Sequence, residues 1–207
     1  SIYDGQSVKS FNYKNGLPND ALMHLFEDKD GNIWLGYNYH GIIKWNDGII
    51  KVLKNKDGLA GNSITAINQD KDGNMLFGTL RGLSVYDGTN FTNYNYSDGL
   101  GNGRISSIEV DGKNIWLGNE GPGGVLTLFN GSTFKNFKIP YHHQRGMNIS
   151  ALKMDNNGIL WIGDTRKGLI SYDGEKFNRW DLKHGLVGNS VSEIYIEENN
   201  DIWIGTN

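Results

Sequence analysis

A short turn-and-strand pattern constrains the fold of this chain more than any other feature, because it occurs five times. Its clearest copy covers residues 30–36 and reads DGNIWLG. The glycines that close the five copies fall at positions 36, 78, 118, 163 and 205. A spacing of 40 to 45 residues is typical of repeat proteins, so we interpret the chain as a series of equivalent units.

Each unit contains four short apolar segments in the same order. In the second unit these segments cover residues 64–67, 75–78, 82–86 and 91–94. They are rich in β-branched and aromatic residues and are bounded by Gly, Asn and Asp, which predicts strands. The Asp-Gly and Asn-Gly pairs between them supply the positive φ angles that tight hairpins need. No segment has the sustained apolar stripe of a helix.

Four antiparallel strands per unit of about 42 residues are typical of the blades of a β-propeller. The strands are apolar on both faces, and radial stacking of blades would bury both. We therefore predict an all-β fold, a single β-propeller domain of four-stranded antiparallel blades over residues 1–207. The predicted blades cover about 17–57, 59–97, 100–138 and 147–183.

The two ends of the chain carry the parts of one further blade. Residues 6–14 read as a fourth strand, and residues 186–207 read as a first and second strand. We expect five blades, the last closed by strands from both termini, because such closure would hide strand edges that invite aggregation. The alternative is an arc of a larger propeller.

Charge and composition exclude several classes of protein. The 20 basic and 23 acidic residues leave a net charge of -3, so there is no electrostatic footprint for nucleic acid. No apolar run approaches the ~18 residues that span a bilayer, and we expect no direct membrane insertion. The chain has no Cys, which excludes disulfides, thiolate metal ligands and Cys nucleophiles.

The repeat resembles a known family. Its pattern is fullest over residues 62–100 and again over 148–186, and it resembles the two-component regulator propeller repeat along essentially the whole chain. Leu76 departs from it by replacing the usual Trp. The resemblance implies the extracytoplasmic sensor portion of a hybrid histidine kinase, often binding carbohydrate breakdown products, hence a periplasmic or extracellular location. This chain itself shows no signal peptide. Related propellers occur in cell-surface and secretion-associated proteins.

Several motifs are interpreted as structural. We expect the repeated tryptophans to fill the space between blades; they are Trp34, Trp116, Trp161 and Trp203. Where Leu76 replaces the tryptophan, we expect the space between blades to be less completely filled or to be filled by a neighbouring side chain. The acidic segment 28–32 is interpreted as a hairpin turn, because an EF-hand loop would need Gly and Glu where Ile33 and Tyr39 stand. His142 and His143 lack a nearby third ligand, so no metal is expected, and no cofactor either.

A catalytic site is not expected. His24, His40 and His184 are scattered, with no paired carboxylate evident from the sequence. The chain also lacks a serine nucleophile elbow, a phosphate-binding glycine loop and a dinucleotide fingerprint. Streptogramin-lyase-like enzymes share a comparable propeller, so a lyase-like activity is kept as an alternative.

The connectors predict where a ligand would bind. In a propeller, the connectors from second to third strand and from blade to blade meet on one face. Here they vary, whereas the turns of the opposite face are near-identical Asp-Gly pairs. We therefore predict non-catalytic recognition of a small ligand, such as an oligosaccharide, or of a partner protein. The alternative is a protein-docking module of a surface or secretion complex. The predicted ligand-binding residues are Asn38, Tyr39, His40, Arg81, Arg104, Glu120, Arg166 and Lys167.

Overall fold

A computed structural model describes residues 1–3, 5–46, 48–121, 125–141 and 147–207. Strands hold 52% of the residues and helix only 6%, which confirms the predicted all-β class. The helical part consists of four short 3₁₀ turns: Tyr13–Asn15, Asn55–Asp57, Tyr96–Asp98 and Leu182–His184. No helix among the described residues is both long and apolar enough to cross a membrane.

The strands form four blades between two hairpins. Each blade pairs its strands antiparallel in chain order, and the third and fourth blades are also joined in one eight-stranded sheet. The N-terminal hairpin is β1 (Ile2–Tyr3) and β2 (Val8–Lys9). The first blade is β3 (Leu22–Glu27), β4 (Ile33–Tyr37), β5 (Ile42–Asn46) and β6 (Ile49–Leu53). The second is β7 (Ile64–Gln69), β8 (Met75–Thr79), β9 (Gly82–Tyr86) and β10 (Phe91–Tyr94).

The third blade is β11 (Ile105–Asp111), β12 (Asn114–Gly121), β13 (Val125–Phe129) and β14 (Phe134–Lys138). The fourth is β15 (Met147–Met154), β16 (Leu160–Asp164), β17 (Gly168–Tyr172) and β18 (Phe177–Trp180). The C-terminal hairpin is β19 (Val191–Ile196) and β20 (Ile202–Thr206). Among the described residues β1 pairs with β2 alone and β20 with β19 alone, so closure of five blades stays a prediction.

The apolar core lies between blades. At the first junction Trp34 is 2% exposed and packs with Phe77 and Tyr86 of the second blade. Trp116 is 7% exposed at the third junction and packs on Tyr172 of the fourth blade. At the second junction the smaller Leu76 is fully buried in a cluster that includes Phe129. The expected gap at Leu76 is thus filled by neighbouring rings.

In the four blades, the repeated glycine of the second strand is required by the close approach of the following first strand. A Cβ on Gly36 would lie 2.7 Å from Cγ2 of Ile64, and one on Gly78 would lie 2.8 Å from Cγ2 of Ile105. The later pairs repeat this contact; they are Gly118 with Ile149 and Gly163 with Val191. The repeated glycine therefore sets how tightly consecutive blades pack.

The strand order gives the molecule two different faces. The turns between first and second strands and between third and fourth strands lie on one side. The links from second to third strand, and from each fourth strand to the next blade, lie on the other, which we call the connector face. All eight predicted ligand-binding residues belong to the links or strand ends of the connector face.

Candidate ligand-recognition face

In the first blade, Asp20 holds the connector that carries the predicted residues Tyr39 and His40. One oxygen of Asp20, Oδ2, accepts from the backbone N–H of Tyr39 at 3.0 Å and lies 2.8 Å from Nδ1 of His40. The side-chain hydrogen bond with His40 is the main cause of the lowered pKa of Asp20. The carboxylate therefore fixes the connector, while the Tyr39 ring stays exposed.

Asp20 was not among the predicted site residues. It precedes β3 at the position where the second unit has Asn62 and the last hairpin has Asn189. Both asparagines accept a backbone hydrogen bond within their own connector through the side-chain oxygen, from Asn55 and Leu182. A carboxylate in place of the repeated Asn was the sequence signal that could have identified Asp20.

In the second blade, Arg81 borders an open cavity of about 510 Å³ on the connector face. The Arg81 backbone N–H donates to Oγ1 of the buried Thr79 at 3.0 Å, which fixes the start of the arginine side chain. The remaining lining consists of amides, an aromatic ring and small apolar groups: Asn55, Gly58, Leu59, Ala60, Asn93, Tyr94 and Asn95. Guanidinium, amide and ring groups together can bind hydroxyl or carboxylate groups.

In the third blade, the predicted residues Arg104 and Glu120 contact each other. Nη2 of Arg104 lies 3.0 Å from Oε2 of Glu120. Their backbones are also joined, since the Glu120 N–H donates to the Arg104 carbonyl at 3.1 Å, and Asn102 Nδ2 donates to the Glu120 carbonyl at 2.6 Å. An exposed ion pair contributes little stability. Its charges are largely neutralised within the pair.

In the fourth blade, a buried carboxylate shapes the connector of Arg166 and Lys167. Asp164 is fully buried and accepts from the backbone N–H groups of Asn148 at 3.1 Å and Arg166 at 2.8 Å. Burial raises the pKa of Asp164 despite these bonds. The Lys167 carbonyl accepts from Nε of Arg179 at 2.8 Å. Asp164 follows the repeated glycine and orders this link.

The three described histidines each have an acidic neighbour, which the sequence did not reveal. His184 Nδ1 lies 3.0 Å from Asp181, which caps the last 3₁₀ turn. Burial lowers the pKa of His24, and Glu193 of the last hairpin acts against this shift. With His40 and Asp20, these pairs lie at separate places in the fold. His142 and His143 lie outside the described residues.

The structure distributes the predicted site over four blades. Arg104 and Glu120 are brought into direct contact, and Tyr39 and His40 share Asp20. Arg81 lies on the second-to-third link of the second blade, and Arg166 and Lys167 lie together on that of the fourth blade. No three His, Cys, Asp or Glu residues in the described ranges are grouped closely enough to hold a metal ion. The chemistry available on this face is therefore hydrogen bonding, ring contact and local charge.

A match to a known family of repeats agrees with the division of the chain into blades. A family model described as "Two component regulator propeller" matches residues 16–39, 58–81 and 143–166. Each matched segment starts in or next to the link before a first strand and ends in or next to the following second-to-third link. No curated protein matches the chain.

Solved structures of similar fold include extracellular domains of two component systems and an enzyme. Two are extracellular domains of B. thetaiotaomicron proteins described as hybrid two component systems. One has TM-score 0.78 and 21% identity over 97% of this chain and 28% of that chain. The other has TM-score 0.72 and 25% identity over 88% of this chain and 25% of that chain. The chain thus spans about a quarter of their length.

A third similar structure is a catalytically inactive virginiamycin B lyase from Staphylococcus aureus, solved with quinupristin. Its TM-score is 0.73, with 19% identity over 91% of this chain and 64% of that chain. At this identity the likeness concerns the fold alone. The repeat pattern and the blade topology agree with this match: three segments of the chain match the two-component regulator propeller repeat.

Proposed function

We propose that this propeller is a non-catalytic recognition domain in an extracytoplasmic sensor, and that its connector face binds a small carbohydrate-like ligand. The observation that carries the proposal is the Arg81 cavity, in which one guanidinium stands among amide side chains and the Tyr94 ring. Sugars present hydroxyl groups to such amides and apolar ring faces to aromatic side chains. The opposite face offers mainly repeated hairpin turns.

Tyr39 supplies a second recognition element on the same face. Its ring is exposed, while its backbone is held by Asp20, so the ring is offered at a defined place. Tyrosine combines an apolar ring with a hydrogen-bonding hydroxyl, which suits a ligand with both apolar and polar surfaces. The neutralised Arg104–Glu120 pair keeps this face free of a single dominant charge.

Non-catalytic recognition is favoured over lyase-like chemistry because the acid–base groups of this face already have structural roles. Asp181 and His184 are committed to capping a 3₁₀ turn. Asp20 and His40 brace the Tyr39 connector, and Asp20 is already engaged by backbone N–H groups. General acid–base catalysis needs a positioned group within hydrogen-bond reach of the reacting atoms. Among the described residues of this face, no further pair of acidic and histidine side chains lies opposite His40.

The proposal is tested by titration calorimetry against a panel of neutral and acidic oligosaccharides. We expect Arg81→Ala to weaken binding of the recognised sugar about tenfold or more, because a hydrogen bond to a charged group is worth ~1.5–3 kcal/mol. Tyr39→Ala should also weaken it. Lys113→Ala removes a cation from a hairpin turn of the opposite face and should leave affinity unchanged. Absence of binding across the panel, or equal losses in all three variants, would contradict the proposal.

A further inference from the structure

One sequence position, three residues after the repeated glycine, differs in chemistry from blade to blade. It holds Tyr39 in the first blade, Arg81 in the second, Gly121 in the third and Arg166 in the fourth. In the third blade the chain itself takes the place of a side chain, because a Cβ on Gly121 would overlap Nδ2 of Asn102. In the second blade the same position carries a guanidinium beside an open cavity.

The aliphatic part of the Arg81 side chain is held by the link that precedes its blade. A Cβ on Gly61 would lie 3.6 Å from both Cβ and Cδ of Arg81, so the side chain runs along this glycine. The cavity is lined by residues between 55 and 95, and residues 48–121 are described without a gap. The guanidinium is therefore presented at a defined place to which neither end of the chain contributes.

Arg81 has no carboxylate partner, unlike two other arginines of the molecule. Nη2 of Arg104 lies 3.0 Å from Oε2 of Glu120, and Nη2 of Arg179 lies 3.1 Å from Oδ2 of Asp181. Within the described part of the chain, no carboxylate forms an ion pair with Arg81. The positive charge of Arg81 is thus available to a ligand.

The two acidic residues beside the lining in sequence serve the 3₁₀ turns. Oδ2 of Asp57 accepts from the backbone N–H of Lys54 at 3.0 Å. Oδ2 of Asp98 accepts from the backbone N–H of Asn95 at 2.8 Å. Neither carboxylate lines the cavity. The lining therefore combines one cation with no anion.

The free hydrogen-bonding groups of the cavity are mainly donors. Nδ2 of Asn55 and Nδ2 of Asn93 each donate to a carbonyl of the preceding link, at 2.8 and 2.7 Å. Oδ1 of Asn95 accepts from the backbone N–H of Ser97 at 2.8 Å. Among the described residues, Nδ2 of Asn95 and the guanidinium of Arg81 have no acceptor. A ligand that fits this cavity therefore supplies acceptor atoms.

Tyr94 adds an apolar surface to this donor-rich site. Its ring packs on Phe129 and Phe134 of the third blade, with ring centroids 4.9 and 5.4 Å apart, so the core of the junction holds it in place. The cavity of about 510 Å³ lies within the ~300–1,000 Å³ that is usual for small-molecule sites. A sugar ring can contact Tyr94 while its substituents reach Arg81.

We propose that the ligand of the Arg81 cavity is an acidic oligosaccharide whose carboxylate pairs with Arg81. This inference rests on the proposed carbohydrate-binding function and narrows its substrate class. An ionised carboxylate only accepts hydrogen bonds, and it matches the guanidinium through two parallel bonds. Nδ2 of Asn95 donates to a second oxygen of the same sugar, and Tyr94 contacts the sugar ring. A neutral sugar would leave the guanidinium without a charged partner.

Titration calorimetry with matched pairs of ligands tests this inference. The probes are oligomers of galacturonic, glucuronic and mannuronic acid, each beside its methyl ester, which keeps the rings and linkage but removes the charge. For the recognised oligomer, we expect the acid to bind about tenfold or more tightly than the ester, or about 1.4 kcal/mol. Arg81→Gln should abolish this preference, and Arg81→Glu should reverse it. Arg81 is exposed, so both variants should keep the wild-type unfolding midpoint.

Lys56→Gln is the matched control. It removes an exposed positive charge next to Asn55 in sequence but outside the cavity lining, so it should leave the preference unchanged. The control separates direct contact from general electrostatic attraction. Equal binding of acid and ester overturns the inference but leaves carbohydrate recognition standing. A preference that survives Arg81→Gln, or that Lys56→Gln weakens equally, does the same. Absence of binding by every acidic and neutral sugar contradicts both the inference and the proposed function.

Discussion

At the scale of single residues, an acidic residue six positions earlier holds the indole of three of the repeated tryptophans: Trp34, Trp161 and Trp203. Oδ2 of Asp28 accepts from Nε1 of Trp34 at 2.7 Å, and Oδ2 of Asp155 accepts from Nε1 of Trp161 at 2.9 Å. Burial alone would raise the pKa of Asp28, but the hydrogen bonds from Trp34 and Asn32 outweigh it and the pKa is lowered. The acidic turn is thus a cap for the indole.

The third blade breaks this pairing. Its first hairpin is shorter, Val110 stands six positions before Trp116, and Nε1 of Trp116 is buried without a hydrogen-bond partner in the described part of the chain. A buried N–H without a partner costs about 1–3 kcal/mol. The tryptophan at this repeat position is therefore hydrogen-bonded through its indole at the first junction, whereas at the third junction it is held by packing alone.

Substitution of the two tryptophans by phenylalanine separates these contributions. Both changes remove similar apolar volume from a junction, but Trp34→Phe also breaks the bond to Asp28, whereas Trp116→Phe removes an unpaired donor. We expect Trp34→Phe to lower the free energy of unfolding by about 1–3 kcal/mol more than Trp116→Phe does. Urea denaturation at neutral pH measures the difference. Equal losses would show that the Asp28 bond contributes nothing net.

At the scale of strands, each first strand contains a bulge that serves the contact between blades. In all five first strands the register shifts after the first residue that pairs with the second strand, for example between Ile64 and Ala66. The bulged residues Thr65, Ser106 and Ser150 donate their hydroxyls to a carbonyl of the following first strand. A bulge redirects a side chain, and here it directs a hydroxyl across the junction.

The glycine beside this bulge makes the strand contact sensitive to one methyl group. Gly36→Ala would place a Cβ 2.7 Å from Cγ2 of Ile64, and overpacking of this kind costs about 1–3 kcal/mol. A Cβ on Gly205 would lie 3.1 Å or more from its nearest neighbours, which belong to its own hairpin, so Gly205→Ala should leave the unfolding midpoint nearly unchanged. Adding Ile64→Ala should recover part of the Gly36→Ala loss. Independent effects of the two changes in thermal unfolding would contradict this contact.

At the scale of the whole molecule, we expect the local stability of each blade to increase with the number of neighbouring blades that cover it. Each blade contacts its neighbours in sequence, so stability is close to a sum of blade and junction terms. The second and third blades are covered on both sides. The C-terminal hairpin is covered on one side by the cluster of Ala151, Leu169, Val191 and Ile194.

Hydrogen exchange measures this gradient. We expect backbone amides of β8 and β12 to be protected most, and those of β20 less, because the described contacts of β20 involve a single junction. Trp203→Ser should leave protection of β8 unchanged, since the two are separated by several junctions. Uniform protection along the chain, or a loss at β8 in that variant, would mean that the repeats open as one cooperative unit.

Much of this architecture could be predicted from the sequence, because strands, turns and repeats are encoded locally. Alternation with period two, Asp-Gly and Asn-Gly turns, and the glycine repeated every 40 to 45 residues determined the blades and the two faces. The same phase placed Tyr39, Arg81 and Arg166 on connectors. It also predicted burial for all four tryptophans, which is correct for Trp34 and Trp116 and wrong for Trp203.

Only the tertiary structure determined which repeats pack against each other, and which side chains each contact between blades leaves exposed or without a hydrogen bond. Trp34 and Trp203 share the local pattern Ile-Trp-x-Gly, yet one is buried and the other exposed, because burial depends on a neighbouring blade some 40 residues away. For the same reason the Asp20–His40 contact and the unpaired Nε1 of Trp116 emerge only in three dimensions. A local pattern specifies each strand, whereas contacts between blades are specified by how the blades stack.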